Sequence, residues 1–335
     1  MPSSRSRSPY QSSQTASQKE HLAPRKDLGQ NFLQDANVAR NIVQTLEIQA
    51  GDVVIEIGPG EGALTKLLLQ SELSCLILVE FDARAVDFLE RHFHKEIQSG
   101  RVRIFHRDIL RTTATELLEN MPELSTNACV KLIGNIPYYI TSDILFWLFG
   151  EWAQTMKNAN NSTNNSTNNS TNTAPILFPE RAVIMMQKEV AERIVAKQRT
   201  KEYGILSVAS ALVSTPKVRF NVSPKCFFPP PKVISSVVEF RMKARAEDAE
   251  AFLQTQALVR AAFNQRRKML SNALGNTLSR VAEQHNSQHS SSEKELSPAI
   301  IIKAAEERGF TWFRARAEEL SAQDFIQLGE FLRAV

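Results

Sequence analysis

Residues 53–68, VVIEIGPGEGALTKLL, decide the fold class of this 335-residue chain. Residues 53–57 contain four β-branched apolar residues, as in a short strand buried inside a sheet. Three glycines follow within residues 58–62, and leucines then recur at helical spacing. A strand, a glycine turn and a helix in this order are typical of a Rossmann-like sheet where it approaches a nucleotide.

The glycine turn departs from the dinucleotide-binding spacing G-x-G-x-x-G. Pro59 also lacks the backbone N–H that could bind a pyrophosphate. The turn therefore favours a nucleoside cofactor without phosphates. It counts against a nicotinamide dehydrogenase, for which the chain also lacks a clear pattern of catalytic His, Tyr or Lys residues.

Polar residues end the next three predicted strands. Residues 76–79 run into Glu80, about twenty residues beyond the glycines, where a carboxylate can accept hydrogen bonds from both ribose hydroxyls. Residues 102–105 precede Asp108, which is placed to accept from the adenine amino group of a cofactor, and residues 130–134 end at Asn135. A solvated acid is the alternative for Glu80, but the glycine turn upstream favours the binding role. Ligands of open α/β sheets bind at the carboxyl ends of the strands, so these residues predict one site.

The turn Asn135-Ile136-Pro137-Tyr138 suggests the chemistry of that site. Asn135 offers an amide oxygen as acceptor, Pro137 stiffens the turn, and Tyr138 offers a flat aromatic face. These groups suit a planar ring with an exocyclic amino group, such as adenine. Two acceptors, one on Asn135 and one a backbone carbonyl, could hold both N–H bonds and aim the lone pair at an electrophile without a strong base. An ordinary Asn/Pro turn is the alternative, and the upstream nucleotide pattern favours catalysis.

Composition indicates a globular protein, with 42% hydrophobic and 23% charged residues and a net charge of +4. Three widely spaced cysteines fit no metal pattern, so we expect buried thiols in a reducing compartment and no metal site. No apolar run reaches the length of a transmembrane helix, and no signal peptide is evident. We therefore expect a cytoplasmic protein without membrane contact, and nothing demands more than a monomer.

The chain divides into three parts by composition. Residues 1–24 are rich in Ser and Gln, which predicts a disordered basic tail. Residues 25–244 alternate strands and helices, interrupted at 154–175 by a low-complexity insertion whose Asn/Ser/Thr repeats, residues 158–173, are predicted as loop. Residues 245–335 predict helices only, with a second polar loop at 285–296.

The helical part contains a stretch without acids. Between Gln254 and Ala282 there is no Asp or Glu, and positive charge comes from Arg260, Arg266, Arg267, Lys268 and Arg280. A run of charge is usually a solvated face. Beside an adenine-type site, an acid-free helical surface instead favours contact with nucleic-acid phosphates.

Taken together, these motifs resemble the KsgA/RsmA family of small-subunit rRNA adenine dimethyltransferases. The matching segments are LGQNFL at 28–33, EIGPGEGALT at 56–65, the strand ends at Glu80 and Asp108, GNIPYYIT at 134–141, FFPPPKVISSVV at 227–238 and AFNQRRKML at 262–270. The resemblance implies an α/β fold: a Rossmann-like, S-adenosylmethionine-dependent methyltransferase sheet with a smaller C-terminal all-helical RNA-binding domain. The implied reaction dimethylates two adjacent adenines in the 3′-terminal hairpin loop of 16S rRNA within the small ribosomal subunit.

The same resemblance implies a role for individual residues. The implied cofactor contacts are Asn31, Leu33, Gly58 at the amino-acid end, Glu80 at the ribose, Asp108 at the adenine, and Asn135. Asn135 would lie between cofactor and target, Pro137 would belong to the catalytic turn, and Tyr138 would stack on the flipped base. Tyr139 stands where the family usually has Asn.

Other activities remain as alternatives. A 23S rRNA adenine methyltransferase of the macrolide-resistance type shares an Asn-x-Pro-Tyr turn, although residues 28–33 and 262–268 resemble the dimethyltransferases more. A DNA adenine methyltransferase would require a target-recognition region that the chain does not offer. A ribosome-assembly factor that has lost catalysis is disfavoured because Glu80, Asp108, Asn135 and Tyr138 are all present.

Overall fold

The computed structural model describes residues 21–119, 121, 129–165, 178–288 and 295–335. Most of the tail predicted at 1–24 and the later part of the insertion predicted at 154–175 lie outside the described residues. No helix in the described part of the chain is long and apolar enough to cross a membrane.

The described residues form a seven-stranded sheet and a separate two-stranded pair. The strands are β1 Phe32–Leu33, β2 Val53–Ile57, β3 Cys75–Glu80, β4 Val102–His106, β5 Val130–Asn135, β6 Arg181–Gln187, β7 Ser214–Val222, β8 Phe227–Phe228 and β9 Ser235–Met242. The large sheet has the order β4-β3-β2-β5-β6-β9-β7. The five strands β4, β3, β2, β5 and β6 pair in parallel. Strand β9 pairs antiparallel with both β6 and β7. The predicted Rossmann-like fold class is confirmed.

Helices cover both faces of this sheet and make up the C-terminal part. They are α1 Ala36–Thr45, α2 Thr65–Leu68, α3 Ala83–His92, α4 His94–Gln98, α5 Ala114–Leu118, α6 Thr141–Asn165, α7 Lys188–Ile194, α8 Ile205–Val213, α9 Ala246–Asn264, α10 Leu270–Ala273, α11 Gly275–Gln288, α12 Pro298–Glu307 and α13 Ala322–Arg333. Several begin at side-chain caps, as at α1, where Asp35 accepts from the backbone N–H groups of Asn37 and Val38.

The residues of β2 divide between two apolar clusters. Every residue of β2 is buried, because helices cover both faces of a parallel sheet. Val53, Ile55 and Ile57 face a cluster that continues through α6 and α8 into the C-terminal helices. Val54 faces a second cluster formed with α1, α2 and α3. Glu56 alternates with these residues and brings a carboxyl group into an otherwise apolar strand.

The two-stranded pair joins distant parts of the chain. Phe32 and Leu33 of β1 pair antiparallel with Phe228 and Phe227 of β8. The sequence did not predict this pairing, because a two-residue strand carries no periodic signal. The pair places the segment that precedes α1 against the proline-rich segment that precedes β9.

The prediction of loop was wrong for the N-terminal ends of two segments. Helix α6 continues to Asn165, into the tract predicted as loop from residue 158. Helix α11 likewise continues to Gln288, into the loop predicted at 285–296. Asn, Ser and Gln cost a helix only a few tenths of a kcal/mol per residue, so a helix anchored by its buried first turns can extend into polar sequence. The remainder of each loop lies outside the described residues.

Helix α6 ties the sheet to the C-terminal helices. The ring of Phe149 is fully buried, with its centroid 6.0 Å from that of Phe240 on β9 and 6.3 Å from that of Phe252 on α9. The apolar cluster is therefore continuous across residue 245. Whether residues 245–335 act as a separate domain stays a prediction.

We expect Phe149→Ala to lower the free energy of unfolding by about 3–5 kcal/mol, because it removes a buried ring that contacts both sides. Denaturant unfolding followed by circular dichroism measures the loss. Val195→Ala, at an exposed site on the surface, is the control. A loss below about 1 kcal/mol would show that the contact across α6 contributes little.

Candidate active site

The predicted cofactor and catalytic residues lie together around one cavity. Strands β2, β3 and β5 end in register, since Ile57 pairs with Val79 on one side and with Gly134 on the other. The cavity at this edge measures about 220 Å³. Its lining includes Asn31, Leu33, Gly58, Glu80, Asp108, Asn135, Pro137 and Tyr138.

The glycine turn closes tightly around the end of β2. Gly58 and Gly60 have φ angles of +66° and +54°, a conformation that glycine adopts without strain. A Cβ atom on Gly60 would lie 3.0 Å from the Phe32 ring. Glycine therefore lets the turn and β1 approach each other, and both line the cavity.

Glu80 is held by backbone groups at the end of β3. Its Oε1 accepts hydrogen bonds from the N–H groups of Phe81 at 2.8 Å and Asp82 at 2.9 Å, and its Oε2 accepts from Gly60 at 3.1 Å. Burial raises the pKa of Glu80, and these three N–H groups act in the opposite direction. The carboxyl group is thereby fixed between the glycine turn and the start of α3.

Asp108 follows β4 and is half-buried. Its Oδ1 accepts from the backbone N–H of Leu110 at 3.0 Å, while its Oδ2 lies 3.8 Å from the exposed guanidinium of Arg111. The carboxylate therefore keeps acceptor capacity on the cavity side. Leu110 and Phe81 are exposed apolar side chains that line the same cavity, which gives this end flat hydrophobic walls.

Asn135 has a defined orientation. Its Nδ2 donates to the backbone carbonyl of Asn31 at 3.1 Å, and the Nδ2 of Asn31 donates to the carbonyl of Gly29 at 3.0 Å. This bond uses one N–H of the Asn135 amide and fixes its orientation, and the Oδ1 is the group that can accept a hydrogen bond from a ligand.

Tyr138 is fixed by a contact from β9. Its hydroxyl forms a hydrogen bond with Ser235 Oγ, and burial raises the pKa of the phenol above its ordinary value. The ring is therefore neutral at physiological pH and held by its polar tip. Tyr139, in contrast, is largely exposed and packs against Gly29, whose missing side chain leaves room for the ring.

The structure adds site residues that the sequence did not single out. Glu56 lines the cavity, is buried, and accepts a 2.7 Å hydrogen bond from the hydroxyl of Thr65. Burial raises the pKa of Glu56 to about 8. Asp82 accepts from the side chain of Gln30 at 2.9 Å and so holds the segment before β1 against α3. The sequence signal for Glu56 was an acid within an apolar strand. No sequence signal indicated the contact between Gln30 and Asp82.

The predicted RNA-binding residues lie away from the cavity and differ from one another. The guanidinium of Arg260 lies 4.5 Å from the centroid of the Phe146 ring. Arg266 bonds to the Glu318 carboxylate at 2.7 Å and donates to two backbone carbonyls, those of residues 200 and 201. Arg267 and Lys268 are exposed and form no ion pair within the described residues.

Comparisons with known proteins agree with one another. The sequence model of the family "Ribosomal RNA adenine dimethylase" matches residues 22–299. The "Ribosomal RNA small subunit methyltransferase A" of Methylococcus capsulatus is 35% identical over 309 residues, 92% of this chain and 98% of that protein. Its counterpart in Francisella tularensis subsp. novicida is 34% identical over 308 residues, 92% and 97% of the two chains.

The chain belongs to the ribosomal RNA adenine dimethylase family. Two solved structures share its fold. A dimethyladenosine transferase from Plasmodium falciparum has a TM-score of 0.65 at 23% identity and covers 89% of this chain and 95% of its own. The 23S rRNA methyltransferase ErmE has a TM-score of 0.55 at 21% identity and covers 90% and 100%.

Members of the ribosomal RNA adenine dimethylase family use S-adenosylmethionine as cofactor. The cavity fits that molecule, because its buried carboxyl groups can bind hydroxyl and amino groups while its apolar side chains can flank a flat ring. It also fits a cofactor without phosphates, since the glycine turn contains Pro59, which has no N–H to offer. Among the described residues, no group of three or more His, Cys, Asp or Glu side chains is placed to hold a metal ion.

The raised pKa of Glu56 predicts a pH dependence of stability. A carboxyl group whose pKa is higher in the folded protein makes folding weaker as pH rises from its ordinary pKa of 4.5 through about 8. We expect Glu56→Gln, which keeps an acceptor for Thr65, to be more stable than the parent at pH 7 by on the order of 3 kcal/mol, with the difference vanishing near pH 4.

Thermal unfolding without cofactor, measured across this pH range, tests the expectation. Glu90→Gln, at an exposed carboxyl on α3, is the control. Curves for Glu56→Gln and the parent that run parallel from pH 4 to pH 8 would show that Glu56 does not titrate in this window.

Proposed function

We propose that this protein transfers methyl groups from S-adenosylmethionine to the exocyclic nitrogens of two adjacent adenines in the 3′-terminal hairpin loop of 16S rRNA, within the small ribosomal subunit. The observation that carries the proposal is the orientation of Asn135, whose amide nitrogen is bound to Asn31 while its oxygen remains as acceptor. The names of the curated relatives support the small subunit as the substrate.

The catalytic turn acts by positioning. The lone pair of an adenine amino group is delocalised into the ring, so the nitrogen attacks well only when it becomes pyramidal. The Oδ1 of Asn135 and a backbone carbonyl of the turn accept hydrogen bonds from its two N–H groups and hold that geometry. Once the methyl group has been transferred, the nitrogen releases one proton to solvent. Pro137 stiffens the turn, and the neutral ring of Tyr138 stacks on the target base. The cofactor supplies an electrophilic methyl group when bound.

The cofactor side of the site holds the nucleoside. Glu80, fixed by three backbone N–H groups, accepts the ribose hydroxyls. Asp108 would accept from the adenine amino group, and Phe81 and Leu110 would supply apolar contacts to the ring. Gly58 adjoins the amino-acid end of the cofactor. Asn31, directly before β1, and Leu33, within β1, would also contact the cofactor.

The helical domain, residues 245–335, supplies contacts to RNA phosphates. Arg267 and Lys268 make direct contacts, because both are exposed and have no ion-pair partner within the described residues. Arg260, which is also exposed, contributes from the same acid-free stretch of sequence. Arg266 takes part by position, since its guanidinium holds the segment against Glu318 and the loop at residues 200–201. The protein acts as a monomer in the cytoplasm, where its ribosomal substrate is.

The assay of the proposed function is methyl incorporation from labelled S-adenosylmethionine into small and large ribosomal subunits of a strain that lacks adenine dimethylation. We expect dimethyladenine in the 3′-terminal hairpin of 16S rRNA, identified by mass spectrometry. We expect Asn135→Ala to lower the rate by about 100-fold or more while cofactor affinity stays within a few-fold, because the variant loses an acceptor for the target nitrogen.

Label confined to 23S rRNA would place the protein with the macrolide-resistance type instead. No label in either subunit would leave a non-catalytic assembly factor. Asn135→Ala with unchanged turnover would refute the role of the amide, whichever subunit is labelled.

The three basic residues 266–268 should behave in two different ways. Each phosphate contact contributes about 0.7–0.9 to the slope of log affinity against log salt concentration. We therefore expect Arg267→Gln with Lys268→Gln to flatten the slope by about 1.5, with unfolding unchanged. Arg266→Gln should instead lower the unfolding temperature, because it removes the bond to Glu318.

RNA binding measured at salt concentrations from about 50 to 300 mM gives the slopes. Arg40→Gln, at an exposed arginine on α1, is the control for charge alone. A double variant whose slope matches the parent would mean that Arg267 and Lys268 form only a solvated face.

A further inference from the structure

Exposed apolar side chains concentrate around the active site. The large hydrophobic residues exposed within the described part of the chain are Phe81, Leu110, Tyr139, Val195, Phe228, Val233, Ile234 and Met269. Three of these line the cavity, where a bound cofactor and target base would cover them. Another three fall within residues 228–234 and do not line it. The cofactor therefore does not explain their exposure.

Residues 228–234 are anchored beside the catalytic turn, residues 135–138, at both ends. At one end Phe228 pairs with Phe32, and the preceding residue, Asn31, receives the hydrogen bond from the asparagine of the turn. At the other end Ser235, directly after the segment, bonds to the hydroxyl of Tyr138. Both ends of the segment are thus held next to residues that contact the catalytic turn.

The segment is built to keep its apolar side chains on the surface. Residues 229–231 are three consecutive prolines, whose fixed φ angles prevent collapse onto the core. The carbonyl of Ile234 accepts a 3.0 Å hydrogen bond from the backbone N–H of Lys188, which holds the second end. Phe228 is 59% exposed, Val233 42% and Ile234 46%.

We propose that Phe228, Val233 and Ile234 form a stacking shelf for the nucleobase that flanks the target adenine in the RNA loop. The inference rests on the proposed function, in which the two target adenines are neighbours. When one adenine enters the cavity, its neighbour loses a stacking partner. The exposed ring of Phe228, with Val233 and Ile234 beyond the prolines, replaces that partner, as aromatic side chains do for unstacked bases in single-stranded RNA.

Charge in the segment supports an RNA occupant. Lys232 is exposed and forms no ion pair within the described residues, and the segment 224–234 contains no acid. The nearest acid along the strand is Glu239, which is buried and paired with Arg181, Arg219 and Arg241. A cation beside an apolar shelf matches a nucleotide, which offers a phosphate and a base together.

The shelf explains how one site can serve two adjacent adenines. While the first adenine is methylated, the second lies on the shelf. The two then exchange places without a return of either base to the stack of the free loop. Loss of the shelf should therefore lower kcat/KM for RNA and change the ratio of modification at the two adenines, while cofactor affinity stays the same.

The test compares full-length variants on small ribosomal subunits that lack dimethylation. We expect Phe228→Ala to lower kcat/KM by about 5- to 150-fold, which is about 1–3 kcal/mol at about 1.4 kcal/mol per tenfold change. Ile234→Ala should lower kcat/KM less. Phe228→Trp, which keeps an aromatic ring, should have the kcat/KM of the parent. Val195→Ala, at an exposed apolar residue at the far end of α7, is the matched control and should have no effect.

Primer extension reports methylation at each of the two adenines, and calorimetry reports binding of S-adenosylhomocysteine. If parental protein methylates 16S rRNA and Phe228→Ala has the same kcat/KM and the same ratio of products, the shelf is wrong although the proposed function stands. Equal losses in Phe228→Ala and Phe228→Trp, or a loss of cofactor affinity, would also overturn it. If the parent labels no rRNA, the failure lies with the proposed function.

Discussion

The parallel register of β5, β2 and β3 is the constraint on which the site depends. Pairing of Ile57 with Val79 and with Gly134 brings three strand ends to one line, and β4 extends that line at its edge. A slip of one residue would turn each side chain to the opposite face of the sheet. Because β2, β3 and β5 are buried on both faces, the apolar contacts of two clusters maintain the register. Backbone geometry, more than any single side chain, brings the polar groups together.

Charged groups at the two edges of the sheet have different kinds of partner. At the amino edge, Lys131 lies 2.7 Å from Asp52, and Arg181 lies 2.7 Å from Glu47. These ions satisfy one another. At the carboxyl edge, Glu56 and Glu80 are buried, and neither has a cation within ion-pair distance among the described residues. Only hydroxyl and backbone N–H donors offset the desolvation of these two carboxyl groups. Buried carboxyl groups of this kind are typical of sites where a ligand supplies the missing partners.

Distant segments complete the site once the sheet has formed. Asn31 orients Asn135, more than one hundred residues away, and Ser235 fixes Tyr138 from a strand nearly as distant again. The β1–β8 pair joins these two supports to each other. The groups that would meet the target base are thus held by backbone pairing and by hydrogen bonds on either side. The proposed mechanism requires such preorganisation, because it works by holding a nitrogen in one geometry.

Sequence patterns predict those features of the site that are periodic or local. They do not predict contacts between segments that are far apart in the chain. The buried strands, the glycine turn and the acid at the end of β3 follow from apolar runs, spacing and position alone. A pairing of two-residue strands has no period, so the contact of Phe32 with Phe228 was invisible. Arg266 shows the same limit for charge. Along the chain it is one of three consecutive basic residues, but in the fold Glu318 lies beside it. Composition can locate a run of basic residues, whereas only the fold separates the cation that is paired from those that stay exposed.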